Sequence, residues 1–177
     1  MEKLPYKLSE LLEAGHAESL EKTWKLEKIL RNLRYEGKAS LGKNVREAGE
    51  AQRFFNDELT QHVQFEEEVV FPFLKTHVPR LEPMIWLLQA EHQDFRINLE
   101  FFKHRLEELM DGRKEKERTR ILEKLQEAGF YLIYLLRTHM RAESQYLHQV
   151  VEKELKREEK QELIRKISRH SRKESRG

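Results

Sequence analysis

His62-Val63-Gln64-Phe65-Glu66 and His139-Met140-Arg141-Ala142-Glu143 are the two stretches from which the rest of this chain can be read. In each, a histidine precedes a glutamate by four residues. Positions i and i+4 lie one above the other on a helix, so each pair can aim both side chains at one spot. Both pairs continue apolar rows with helical 3–4 spacing. Phe55, Leu59, Val69 and Phe73 flank the first pair. Ile121, Leu125, Ala128, Leu132, Leu135, Tyr146 and Val150 flank the second. Such rows are the buried faces of amphipathic helices.

Two further rows each carry a single histidine. One runs Leu12, His16, Leu20, Thr23, Leu26, Leu30, Leu33, and the other Leu88, His92, Phe95, Leu99, Phe102, Leu106. Punctuation separates the four rows. Gly37 and Gly42 bracket a first turn, Thr76 to Pro83 with Pro79 and Pro83 forms a second connection, and Asp111-Gly112 is a stop signal. The spacing predicts helices over 9–35, 44–74, 82–110 and from between 114 and 119 to 156. Ser9 is the expected N-cap, and Pro72 is expected to kink or end the second helix. Short connections between long helices give an all-α, up-down-up-down four-helix bundle over residues 1–156. A short, basic helical extension follows from 157, frayed from His170 to Gly177.

The composition narrows the function. The 177 residues hold 34 Lys and Arg against 32 Asp and Glu, a net charge of +2, so no global field points to nucleic acid or membrane. There is no cysteine, which removes disulfides, thiolate metal sites and cysteine nucleophiles. The N-terminus shows no apolar signal stretch, and the run from Phe130 to Leu136 is far too short for a bilayer. A soluble, cytoplasmic protein is the expectation. The last residues are basic (Arg165, Lys166, Arg169, Arg172, Lys173, Arg176) against one Glu174, which reads as a solvated end before it reads as a docking site for an acidic partner. No Gly-rich phosphate loop or dinucleotide fingerprint is present.

A lone histidine on an apolar row usually just hydrogen-bonds a carbonyl. Here all four rows carry one, and two add a glutamate one turn on. A buried glutamate needs a cation or strong partners. Pairing with an arginine or with its own histidine accounts for one such pair more easily than for two. His16 and His62 are 46 residues apart and His92 and His139 are 47 apart, so the chain contains a pseudo-repeat, helix with His then helix with His-x-x-x-Glu. With a rise of about 1.5 Å per residue, the four histidines fall near one level of the bundle. Four imidazoles and two carboxylates are too many for one tetrahedral zinc. They suit two iron ions, each with two histidines, sharing Glu66 and Glu143 as bridges, with an oxo or hydroxo bridge completing the pair. Manganese or zinc are alternative occupants.

These residues resemble the haemerythrin-like, or HHE cation-binding, family, whose pattern is a lone His, H-x-x-x-E, a lone His, then H-x-x-x-E. The resemblance runs from about Leu8 to Val150. It implies a di-iron site of His16, His62, Glu66, His92, His139 and Glu143 that takes a small diatomic ligand, O2 or NO. Oxygen-carrying members have a fifth histidine where this chain has Arg96, and usually an aspartate where it has Glu143. The four-His, two-Glu set is more similar to the di-iron domain of iron–sulfur cluster repair proteins, whose Cys-containing N-terminal domain is missing here. Binding or sensing of the diatomic ligand, enzymatic removal of NO or peroxide or cluster repair, and iron storage or donation are the functions such a site serves. Phe65, Phe95, Leu88, Leu132 and Leu135 are expected to wall it. Tyr146 falls on the same face, as a core tyrosine or as a partner of a bridging carboxylate. Glu67, Glu91 and Arg96 are either partners of the histidines or solvated. His104 and His148 point about 120° and 180° away from the site on ideal helices, and His77 and His170 lie in the connection and the tail.

Overall fold

The computed structural model describes residues 8–35, 37–111 and 115–174, and these are helical almost throughout, with no strand among them. A short α1 (Leu8–Leu12) precedes α2 (His16–Tyr35). The long α3, residues 37–77, is α-helical over Gly37–Phe54, Thr60–Phe65 and Phe71–His77, with π-helical turns at Phe55–Leu59 and Glu66–Val70 between them. A 3-10 turn at Pro79–Leu81 leads into α4 (Glu82–Met110). Then α5, residues 118–154, is helical over Arg118–Ala142 and His148–Glu154 around a π turn at Glu143–Leu147. Finally α6 (Arg157–Glu174) folds back over the end of the molecule.

Helices α2 to α5 pack side by side, each long helix against two others. Contacts across every pair fall in opposite sequence order. Lys22 lies over Phe54 while His16 meets His62. Glu67 meets His92 while Lys75 meets Gln89. Glu91 meets His139, whereas Gly129 lies against Phe102. His16 meets Glu143, Arg137 meets Thr23 and Glu27, and Gln126 meets the Leu30 carbonyl.

Two apolar clusters fill the interior. One centres on Leu26, Leu30, Phe55, Phe102, Leu125 and Leu132. The other, at the opposite end, centres on Phe71, Leu74, Ile85, Leu147 and Val151, and it takes in Leu8 and Leu12 of α1 and Leu163 and Ile167 of α6. The buried His16, Glu66, His92, His139 and Glu143 lie between the two. Gly129 is needed for the first cluster, because a Cβ there would stand 2.5 Å from Leu30 Cδ1 and 3.0 Å from Phe102.

Several boundaries differ from the sequence expectation. The first helix is not continuous from Ser9. It breaks at Glu13 to Gly15, where Gly15 takes φ 93°, and α2 restarts at His16. Ser9 lies within α1, and its N–H donates to Glu152 of α5. Gly37 and Gly42 belong to α3, which begins seven residues earlier than the expected Asn44. Pro72 does not end that helix, which runs on to His77. It follows directly on a π turn, where the regular i→i−4 ladder is already interrupted, so its missing N–H costs little. Met110 ends α4 as expected, and Gly112 lies outside the described residues. The C-terminal extension is an 18-residue helix rather than a short one. His170 sits against Phe65 and Glu68 rather than in a frayed end.

Candidate metal centre

The H-x-x-x-E pairs keep their repeat at the level of the backbone. Glu66 and Glu143 each close an α-helical stretch and open a π turn. The Glu66 N–H is shared between the His62 and Val63 carbonyls, and the Glu143 N–H between those of His139 and Met140. A π turn holds one residue more than an α turn, so the inward face advances by one position beyond each glutamate. Val70 is therefore buried in place of the expected Val69, and Val151 in place of Val150. Leu147 takes the place expected for Tyr146, which is 61% exposed and points away from the site. The same shift brings His148 inside. It is buried and stacked on His16, with Nδ1 3.4 Å from Glu13, and does not face away as an unbroken helix requires.

All six residues of the sequence pattern come together, in two pairs of histidines spanned by two glutamates. His16 and His62 bring their Nε2 atoms to 3.1 Å, and so do His92 and His139. Glu66 places Oε1 3.2 Å from His62 and Oε2 3.4 Å from His92. Glu143 places Oε2 3.3 Å from His16 and Oε1 3.4 Å from His139. Each carboxylate thus offers one oxygen to each histidine pair. The result is two four-residue groups able to hold a metal ion, His16/His62/Glu66/Glu143 and Glu66/His92/His139/Glu143. Within each group the donor atoms lie within 4.8 Å of one another.

The site is expensive for the bare protein. Glu66 and Glu143 are buried, at 3% and 0% exposure. Glu66 Oε2, both oxygens of Glu143 and His16 Nδ1 have no hydrogen-bond partner. An unsatisfied buried polar atom costs about 1–3 kcal/mol, and more when charged. A cation between the pairs would satisfy all three oxygens. Neighbouring donors about 3 Å apart are what two ligands at right angles present to an ion bound at roughly 2.1 Å. The residues present therefore fit a metal pair.

Charge follows the same geometry. Burial and the adjacent Glu143 push the Glu66 carboxyl up to about 8. Burial would also raise Glu143, but His139 and His16 outweigh it and hold its carboxyl well below the usual range. Burial works against a protonated His139, yet Glu143, Glu91 and Glu66 lift it to about 10. Burial lowers His62.

Outside the cluster, two histidines are held by carboxylates. His92 Nδ1 donates to Glu67 at 2.9 Å, and Arg96 grips both oxygens of Glu67. His139 Nδ1 donates to Glu91 at 2.8 Å. Glu67, Glu91 and Arg96 are thus partners of the site and not merely solvated charges. Arg96, at the position of the oxygen carriers' fifth histidine, reaches to Glu67. Phe71, which the sequence pattern did not single out, stacks on His92. Beside His62, His92 and His139 lies a largely apolar cavity of about 20 Å³, walled by Leu59, Val63, Phe95, Leu135, Leu136 and Met140, with Glu91 at its edge. Of the residues expected as walls, Phe95, Leu88, Leu132 and Leu135 are buried and Phe65 is partly so. His104 is mostly exposed, and His77 bonds the Phe73 carbonyl.

Compared with known protein families, residues 8–108 match the Hemerythrin HHE cation binding domain. The chain belongs to the haemerythrin HHE family. The match spans more than half of the chain and includes His16, His62, Glu66 and His92. It stops short of the resemblance expected through Val150, so the fourth helix, with His139 and Glu143, completes this HHE site by geometry alone. No curated protein and no solved structure gives a match. Cation binding is what the family and the His/Glu cluster establish together. No helix among the described residues is long and apolar enough to cross a membrane.

Proposed function

We propose that this haemerythrin-family chain is an up-down-up-down bundle that holds two iron ions and binds or senses a small diatomic ligand, O2 or NO. His16, His62, Glu66, His92, His139 and Glu143 would be the ligands. The observation that carries the reading is the split of each glutamate, one oxygen toward His16 and His62 and the other toward His92 and His139. A carboxylate shared in that way is how a helical bundle joins two ions. The opposite sequence order of contacts across neighbouring helices supports the topology.

Iron would supply reversible redox chemistry and affinity for diatomic molecules. The protein's own part is to position and to exclude. Glu67 and Glu91 fix the His92 and His139 rings with Nδ1–H outward, so that each Nε2 faces the cluster. Leu59, Val63, Phe95, Leu136 and Met140 wall a cavity with room for about one water-sized molecule, dry enough to favour a neutral diatomic over an anion. With Arg96 engaged by Glu67, no fifth imidazole closes that side.

Anaerobic loading with iron(II), metal analysis and stopped-flow absorption with O2 and with NO test the reading. Two irons per chain and a stable new absorption with either gas are expected. Repeated turnover with a reductant would instead mark an enzyme removing NO or peroxide, and more than two labile irons would mark storage. One zinc per chain, or no response to either gas, would overturn the proposal.

A further inference from the structure

Resting on the reading that the six residues hold two ions, we propose that the two positions are unequal. The ion between His92 and His139 is held tightly, and the ion between His16 and His62 exchanges with solvent. The pseudo-repeat makes the donor sets alike, so the difference lies in what stands behind the donors.

Behind His92 and His139 stand carboxylates. Glu67 accepts the His92 Nδ1–H and is itself fixed by two nitrogens of Arg96, while Glu91 accepts the His139 Nδ1–H. A histidine held this way is turned with Nε2 toward the cluster before an ion arrives, and once an ion displaces any proton there the carboxylate makes that nitrogen a stronger donor. Phe71 stacks on His92 at 5.7 Å and 14°, and so holds the ring plane.

Behind His16 and His62 stands nothing equivalent. His16 Nδ1 is buried without a hydrogen-bond partner. Its neighbour His148 stacks on the ring face and turns its own Nδ1 to Glu13, so it supplies no acceptor. Among the described residues, His62 makes no hydrogen bond through Nδ1. Using His16 as a ligand puts the proton on Nδ1, where no acceptor waits, so this position binds at a disadvantage. It is also the more open one at His62, whose side chain is 17% exposed against 10% for His139 and 2% for His92, although His16 is only 7% exposed. His62 lines a surface groove with Gly15, Glu18, Glu58 and Gln61. Glu18 and Glu58 would draw a cation toward that mouth.

The test is a cobalt(II) titration of the metal-free full chain, followed by visible absorption against a competing chelator. Two ions entering in two resolved steps are expected. His62→Asn should remove the weaker step and keep the tighter one. Glu67→Gln and Glu91→Gln should each weaken the tighter step about 10–100-fold and leave the weaker one in place. Arg96→Gln should weaken the same step less, with Arg96→Lys recovering part of the loss, which marks Arg96 as a positioning residue. Glu100→Gln on the exposed face of α4 is the control and should move neither step. Circular dichroism checks that each variant is helical; should Glu91→Gln fail to fold, Glu67→Gln and Arg96→Gln report on the same step. One indistinguishable affinity for both ions, loss of the tighter step in His62→Asn, or equal weakening of both steps by Glu67→Gln would overturn the proposal. Fewer than two cobalt ions at saturation would instead defeat the two-ion reading beneath it.

Discussion

Glu66 and His139 hold protons in the folded, metal-free chain that their unfolded counterparts would release. Burial and Glu143 raise Glu66 to about 8, and the surrounding carboxylates lift His139 to about 10 against its burial. Both folded values lie above the unfolded ones, so each group's contribution is complete below its unfolded value and is lost as pH rises through the folded one. The metal-free protein should therefore melt at progressively lower temperature from pH 6 to pH 9. Glu66 contributes to this fall between its unfolded value of 4.5 and about 8, and His139 between 6.5 and about 10. Glu143 has the opposite sign, and its contribution fades only in acid. A cation competes for the same protonated groups, so metal affinity should climb over the same range. Melting curves at three pH values, with chelator and with cobalt(II), check both slopes; a metal-free melting temperature that rises with pH would contradict this account. The same residues set a stoichiometric expectation. Glu66→Ala or Glu143→Ala should cut bound iron from two ions to at most one by metal analysis, and His104→Ala, on the exposed face, should leave it unchanged.

At the scale of the element, the helical rows were legible because burial follows the 3–4 spacing. His16, Leu26, Leu30, His92, Phe95, Phe102, Leu132 and His139 are all buried as their spacing requires. The H-x-x-x-E pairs were legible for the same reason, since four residues span one ordinary turn. What lay beyond them was not, because a π turn has no sequence signature and moves the inward face just after each glutamate by one position. That is why Leu147 and not Tyr146 lies inside, and why His148 is buried against His16. The break before α2 was hidden in another way. Glu13 and Ala14 favour helix, and an isolated glycine inside a helical pattern is tolerated. Gly15 nevertheless adopts φ 93°, which places His16 as the first residue of α2. A Cβ there would meet nothing within 4 Å, so Gly15→Ala should suffer from backbone strain alone, about 1–2 kcal/mol. For a chain of this size that is a loss of roughly 2–8 °C in melting temperature. Gly129→Ala should fail through packing instead. Overpacking costs about 1–3 kcal/mol, and better helix propensity returns at most about 1. Thermal denaturation of the two variants reads both, and an unchanged melting temperature for Gly15→Ala would mean that the turn relaxes freely.

For the molecule as a whole, the question is whether residues 1–156 stand alone, as the boundary expected after Lys156 implies. Packing argues that they depend on α6. Leu163 and Ile167 are buried in the cluster that also holds Leu8, Leu12, Val70 and Val151. Burying one such side chain contributes about 1.5–3 kcal/mol, an upper estimate because the unfolded chain is itself partly compact. Lys160 of α6 also grips Glu152, which in turn accepts the Ser9 N–H of α1. Removing 157–177 thus uncovers one end of the core and loosens α1, the turn at Gly15 and finally His16. Glu91 and Arg96 lie on α4, away from α6, whereas Glu67 sits on the Glu66–Val70 turn that α6 also covers, so the His92–His139 side loses less support than the His16 side. The truncated chain should melt several degrees lower. It should also release cobalt(II) to a chelator faster than the full chain, with the weaker of the two ions accounting for most of the difference. Release rates and melting temperatures measured side by side decide the matter. If both stay unchanged, α6 is an appendage, and the HHE bundle carries its metal centre unaided.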